Sequence, residues 1–264
     1  MSEKTKDKKA IEALDLGNIK HIIMIISGKG GVGKSTVSVN LAYTLAKKDK
    51  QVGLLDADIH GPTVPKLLGV SDRKLEATED GKIKPIDITP NLRIVSMGFL
   101  LPNSDSPVIW RGPMKYNAIR QFLQDVDWNN LDYLVVDLPP GTGDEAISIA
   151  QLTKADGSII VTTPQNVALL NSRKAIGFAQ KLDIPIIGII ENMSGFICPN
   201  CGFNINIFGE NGGLKAAKEF GLKFLGKIPL DLKIYQSGEN GNLLEEGEVF
   251  KEIADQVLKF YKDL

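Results

Sequence analysis

The stretch Gly28-Lys29-Gly30-Gly31-Val32-Gly33-Lys34-Ser35 constrains this chain more than any other part of it. It follows an apolar run, Ile22–Ser27, and opens a segment with helical spacing, Lys34–Lys48. The pattern G-x-x-x-x-G-K-[ST] thus stands in the strand–turn–helix context that a phosphate-binding loop requires. Glycines let the backbone turn its N–H groups inward around an anion, and the helix N-terminus adds partial positive charge. Lys34 places a cation on the β and γ oxygens of a nucleotide, and Ser35 offers a hydroxyl to Mg²⁺. Gly28, Lys29, Gly30, Gly31, Val32, Gly33, Lys34, Ser35 and the following Thr36 are the candidate ATP contacts. The alternative is a glycine-rich turn without a ligand.

The rest of the chain alternates in the same rhythm. Ile- and Val-rich runs at Ile22–Ser27, Gln51–Asp56, Leu92–Met97, Tyr133–Asp137, Gly157–Thr162, Ile184–Glu191 and Phe224–Ile228 read as buried parallel strands. Between or after them, Lys34–Lys48, Pro113–Asp125, Asp144–Leu152, Asn166–Leu182, Gly212–Phe220 and Glu248–Asp263 carry helical spacing. Such alternation predicts a doubly wound, mostly parallel α/β sheet in a single domain, residues 18–264, behind a flexible tail, residues 1–17. Pro62 to Pro90 holds four prolines and a charged stretch, and predicts a helical turn and a small hairpin around Asp80-Gly81, inserted at the sheet edge.

Composition narrows the function classes. Charged residues, 31 basic against 32 acidic, nearly cancel, which argues against a nucleic-acid coat or a membrane-surface protein. No apolar run approaches the roughly 18 residues of a transmembrane helix, and MSEKTKDKKA lacks the apolar centre of a secretory signal. Two cysteines cannot build a disulfide framework, so a reducing compartment, the cytoplasm, is expected.

Carboxylates close three positions at strand ends. Asp56 and Asp58, two apart, are expected on one side of the sheet's C-terminal edge, where open α/β sheets bind ligands. Asp58 is the candidate for orienting an attacking water and Asp56 for the Mg²⁺ neighbourhood; capping of the next turn is the alternative. Asp137 ends Leu134-Val135-Val136, as a carboxylate that holds Mg²⁺ through water would. Pro139–Asp144 then reads as a switch-like loop with glycine hinges. Asn192, past the sixth run, is placed to bond an adenine edge or to cap. Lys29 adds a second cation, either an arginine-finger-like group acting on the nucleotide of a facing subunit or a solvated loop lysine. Its pattern, K-G-G-x-G-K-[ST] over Lys29–Ser35, resembles the deviant Walker A superfamily, which implies a face-to-face dimer sandwiching nucleotide.

Cys198-Pro199-Asn200-Cys201 has three readings. A redox pair is expected at a helix N-terminus, but Gly202-Phe203-Asn204 is a poor helix start. Two unrelated buried thiols are a second reading. Metal binding is the third, and a tetrahedral site or an iron–sulfur cluster wants four donors, which a twofold dimer would supply. His21 and His60 read as packing or surface residues.

Taken together, Gly28–Ser35, Asp56–Pro62, Pro139–Asp144, Glu191–Ser194 and Cys198–Gly202 resemble the Mrp/ApbC family of P-loop ATPases, with further likeness at Trp110–Pro113 and Ile228–Asp231. The resemblance implies a slow, Mg²⁺-dependent ATPase whose homodimer bridges a [4Fe–4S] cluster through Cys198 and Cys201 of both subunits and passes it to apo-proteins. It adds Pro229 and Asp231 to the nucleotide contacts. Two other functions compete: a ParA- or MinD-like positioning ATPase, and a nucleotide-dependent adaptor with structural zinc at the cysteines. The first wants a basic lipid-binding helix or DNA face, but Glu245–Leu264 carries six acids against three lysines. Neither nucleic acid nor membrane is an expected partner.

Overall fold

The computed structural model describes residues 13–101, 112–245 and 247–264. Residues 1–12 of the expected tail, and Trp110 and Arg111, lie outside them. The strands are β1 (Ile19–Ile26), β2 (Val52–Asp56), β3 (Glu76–Ala77), β4 (Ile83–Lys84), β5 (Ile86–Thr89), β6 (Leu92–Ser96), β7 (Leu131–Asp137), β8 (Gly157–Thr162), β9 (Ile186–Ile197), β10 (Asn204–Ile205) and β11 (Phe224–Leu230). The helices are α1 (Lys34–Lys47), α2 (Val64–Leu67), α3 (Gly112–Gln124), α4 (Asp144–Thr153), α5 (Asn166–Lys181), α6 (Gly212–Phe220), α7 (Leu232–Glu239) and α8 (Glu248–Lys262).

Seven strands run parallel in the order β11-β9-β8-β1-β7-β2-β6, one for each apolar run of the sequence. Their Ile and Val side chains are covered on both faces, which is what lets a parallel strand be apolar throughout. One face packs α3, α4, α5 and α6 around Met24, Leu55, Phe122, Val136 and Ile176. The other packs α1, α2 and α8 around Ile25, Leu41, Leu54, Val135 and Phe250. β1 lies between β7 and β8, so consecutive crossovers leave it in opposite directions and open a crevice beyond its C-terminal end. The phosphate-loop sequence begins there. The insertion behaves as expected: α2 is the helical turn, β3 and β4 form the small hairpin, and β5 closes the sheet edge antiparallel to β6.

Three boundaries differ from the sequence reading. Leu14 is buried in the core and its N–H donates to the Leu152 carbonyl at 2.9 Å, so the ordered fold starts before residue 18. β9 continues six residues past Glu191, bending through Met193 (φ 56°) and Gly195 (φ 82°) before Phe196 and Ile197 pair with β10. Asn192, Ser194 and Gly195 interrupt the apolar run, so it ends before the strand does. α7 was not expected, because only Ile234 and its neighbours pack against the core; the Asp231 side chain starts this helix by accepting from Lys233 N–H at 2.6 Å.

Replacing Phe250, 1% exposed beneath α8, with Ala should lower stability by about 3–5 kcal/mol, read as a lower urea midpoint at unchanged slope.

Candidate nucleotide and metal site

Parallel register sets the centre of the site. β2 places Asp56 directly between Asp137 of β7 and Ser96 of β6, which puts two carboxyl groups side by side at the sheet's C-terminal edge. Both are fully buried. Lys34, on the first turn of α1, points its ammonium into this row and donates to Asp137 Oδ1 at 2.7 Å. Ser38, one turn further along α1, donates to the same oxygen at 2.9 Å. Asp137 Oδ2 is buried with no hydrogen-bond partner among the described residues, a costly state unless something cationic or a donor reaches it.

Asp56 is different. Its Oδ2 accepts from Ser96 Oγ at 2.8 Å and from Val64 N–H at 3.3 Å, and its Oδ1 from Asp58 N–H at 3.2 Å. Burial, and then the charge of Asp137 beside it, push its pKa up to about 8. Through these bonds Asp56 fixes the chain after β2 to the sheet edge.

The loop itself forms the expected cradle. Gly33, at the cap of α1, has φ 78°, the left-handed region that favours glycine, and α1 has no side-chain cap and no acid in its first turn. Its first N–H groups are thereby left for an anion. A cleft of about 310 Å³ is lined by the Lys29–Thr36 loop together with Ser27, Asp58, Gly61, Thr63, Leu67 and Pro140. Asp58, and Pro140 from the 139–144 loop, thus lie beside the phosphate loop. Asp58 faces this cleft while Asp56 does not, because β2 ends at Asp56 and strand alternation no longer relates the two. Gly141 has φ 87° and donates its N–H to Ser27 carbonyl at 3.2 Å, tying that loop to the end of β1.

Asn192, buried, donates from its side-chain amide to the Val32 carbonyl at 2.8 Å. A Cβ at Gly33 would stand 2.2 Å from that same amide nitrogen. Asn192 therefore grips the phosphate loop from the side. Glu191, the residue before it, is fully buried, accepting from Ser194 Oγ and from Gly213 N–H at the start of α6, each at 2.6 Å. Lys29 donates to Gln165 Oε1 at 3.2 Å. Pro229 and Asp231 lie at the end of β11, and neither lines the phosphate cleft.

Sequence reasoning missed Ser38 and Gln165. Ser38 stands four residues after Lys34, one helical turn, which was a usable signal. Gln165 follows the end of β8 at the same sheet edge, but nothing in its neighbourhood marks it.

The cysteine pair sits at the tip of the β9–β10 hairpin, not in an open loop. Cys198 N–H donates to the Phe203 carbonyl and Gly202 N–H to the Cys198 carbonyl, each at 2.9 Å. Backbone N–H groups of Cys201 and then Asn200, with the Cys201 thiol, hold the Cys198 thiol below its ordinary pKa. The thiolate, which is the metal-binding form, is favoured. Both thiols are free, and no described helix begins at them. Among the described residues no group of three or more His, Cys, Asp or Glu side chains could hold a metal ion. His21 is bound to Asp156 at 2.8 Å on the far side of the sheet, in keeping with a packing role.

Fold and site together define a P-loop NTPase of the α/β doubly wound kind. More particularly, the family model ParA, described as NUBPL iron-transfer P-loop NTPase, matches residues 18–264, and the chain belongs to that family. It is 52% identical to the iron-sulfur cluster carrier protein of Methanocaldococcus jannaschii over 93% of this chain and 86% of the relative. A nucleotide-binding protein from Archaeoglobus fulgidus, solved in complex with ADP, is similar at 37% identity and TM-score 0.80, covering 89% of this chain and 93% of that one. The septum site-determining protein MinD of Pyrococcus horikoshii, solved with Mg-ADP, shares the fold at TM-score 0.67 and 23% identity, over 91% and 97% of the two chains.

Lys34→Ala should lower the stability of the nucleotide-free protein by about 3–5 kcal/mol, because it strands the buried Asp137 carboxylate. The double variant with Asp137→Ala should recover part of that loss in urea unfolding, as coupled partners do.

Proposed function

We propose that this chain is an ATP-dependent carrier that holds a [4Fe–4S] cluster across a homodimer and delivers it to apo-proteins in the cytoplasm. The observation that carries the reading is a pair of free thiols, Cys198 and Cys201, at the tip of the hairpin whose strand β9 also grips the phosphate loop through Asn192. Two thiols are half of a four-thiolate site, and a second subunit related by a twofold axis supplies the other half. The name borne by the Methanocaldococcus relative, an iron-sulfur cluster carrier protein, supports the cargo. Exposed Ile197, Phe203, Ile205 and Ile207 surround the pair with apolar surface suited to a protein partner.

In the nucleotide site, Lys34 binds the β and γ oxygens, and Lys29, after leaving Gln165, reaches the nucleotide of the facing subunit. Asp58 orients the attacking water. Ser35 and Asp137 fit Mg²⁺, since the orphaned Asp137 Oδ2 is the buried oxygen a hydrated cation would satisfy. When bound, Mg²⁺ neutralises charge on the phosphates. Asn192, together with Pro229 and Asp231, serves the adenine end. Hydrolysis is slow, as suits a switch whose nucleotide state changes a subunit interface.

The structure weakens the positioning-ATPase alternative at one point. The apolar residues of α8, Phe250, Ile253, Ala254, Val257 and Tyr261, are buried against the sheet, so this helix presents no free apolar face to a lipid surface. The described residues also include no helix long and apolar enough to cross a membrane.

Anaerobic reconstitution with iron and sulfide tests the carrier reading: about four iron and four sulfide per dimer are expected, with visible iron–thiolate absorption lost in Cys198→Ala and Cys201→Ala. Those variants should still bind ATP. Stoichiometric zinc without sulfide would move the function to the adaptor. Asp58→Ala should slow turnover at nearly unchanged nucleotide affinity, whereas Lys34→Ala should weaken affinity itself.

A further inference from the structure

The cluster Lys115, His60 and Glu145 joins α3, the turn after β2 and the start of α4. Lys115 lies on the first turn of α3, is 7% exposed, and donates to the His60 ring nitrogen Nε2 at 2.6 Å and to Glu145 Oε1. His60 belongs to the turn after β2, and Glu145 to the first turn of α4, directly after the 139–144 loop. A lysine accepting this position meets two costs. Its ammonium is taken out of water, and it stands near the N-terminus of a helix, where the dipole disfavours a cation. A Met or Leu there would meet neither. Glu145, by contrast, sits where the α4 dipole favours an anion and needs no buried partner.

The turn that Lys115 holds is the one that aims Asp58. Asp58 Oδ1 accepts from His60 N–H at 3.1 Å and from Gly61 N–H at 3.2 Å, so the direction of its carboxylate follows the backbone of residues 60–61. Buried Ile59 anchors the turn from below, while His60 is exposed on its outer side and has Lys115 and Glu145 as its side-chain partners. On the far side of the same bond, Glu145 is one residue past the loop whose Pro140 lines the phosphate cleft with Asp58. Lys115 itself does not line that cleft.

We propose that Lys115 is a positioning residue for ATP hydrolysis: by bonding His60 and Glu145 at once, it fixes the Asp58 turn against the 139–144 loop at the separation that hydrolysis needs. The inference rests on the reading of Asp58 as the group that orients water. Lys115 touches neither nucleotide nor water; it sets where Asp58 stands.

The test compares full-length Lys115→Met, Lys115→Arg, His60→Ala and Asp58→Ala for steady-state kcat and KM, ATP-analogue affinity and thermal midpoint. Lys115→Met is expected to lower kcat about tenfold, inside the roughly hundredfold that a 1 Å misplacement costs, with analogue affinity within about twofold of wild type. Its thermal midpoint should be equal or higher, since an apolar side chain of similar length replaces a buried charge. Lys115→Arg, which keeps both donors, should return kcat to within about threefold of wild type. His60→Ala, altering an exposed side chain, should lower kcat about threefold, and adding it to Lys115→Met should slow the enzyme no further. Wild-type kcat in Lys115→Met beside a slow Asp58→Ala would overturn the Lys115 inference alone. So would a lower thermal midpoint with kcat and affinity falling together, the pattern of a structural cross-link. Equal turnover in wild type and Asp58→Ala would instead remove the reading beneath it.

Discussion

The buried contact between Lys34 and Asp137 is the constraint to which the rest of the site is fitted. Taking both charges out of water costs several kcal/mol per ion, which attraction offsets only with good geometry and extra hydrogen bonds. Ser38 supplies one such bond, and burial with the neighbouring charge of Asp137 pushes the pKa of Asp56 up. The register of β2 and β7 makes this arrangement possible, and the left-handed Gly33 brings α1 in at the angle that points Lys34 at it. One oxygen of Asp137 is left over. With Arg93 Nε and Thr163 Oγ1 it is one of the buried side-chain polar atoms of the described residues left without a hydrogen bond.

The division of labour between Asp56 and Asp58 follows from where a strand stops. Two residues apart within a strand they would share a face; with β2 ending at Asp56, one carboxyl turns into the sheet and the other into solvent at the cleft. The inner one accepts from the backbone of the outer one, so the buried acid shapes the loop that carries the exposed acid. Lys115 then steadies that loop from outside, through His60.

Much of this was legible in residues alone, and the limits have physical causes. Each parallel strand was visible because burial on both faces demands an uninterrupted Ile/Val run, and the phosphate loop because its glycines and lysine are fixed by the geometry of an anion. The second half of β9 was invisible since Asn192 and Ser194 and two left-handed positions, Met193 and Gly195, break the apolar run and read as loop before Phe196 and Ile197 resume the pairing. The raised pKa of Asp56 was invisible too, because it depends on burial and on a neighbour 81 positions along the chain that only the sheet register brings alongside. Lys115 left no trace at all: an exposed-looking lysine on a helix is the commonest thing a sequence can show.

Glu191 and Asn192 lie on β9 and Cys198 directly follows its last residue, and this bears on how such a chain can vary. Glu191 is bolted to α6, Asn192 to the phosphate loop, and the hairpin that ends in the cysteines grows from the same backbone without a spacer. Surface connections elsewhere, such as the β3–β4 hairpin, can lengthen or shorten with little effect on the sheet. The seven residues from Asn192 to Cys198 have no such latitude: one inserted residue would reverse the facing of every side chain beyond it and swing the thiols to the opposite side of the sheet. Length, rather than composition, is what this segment must keep.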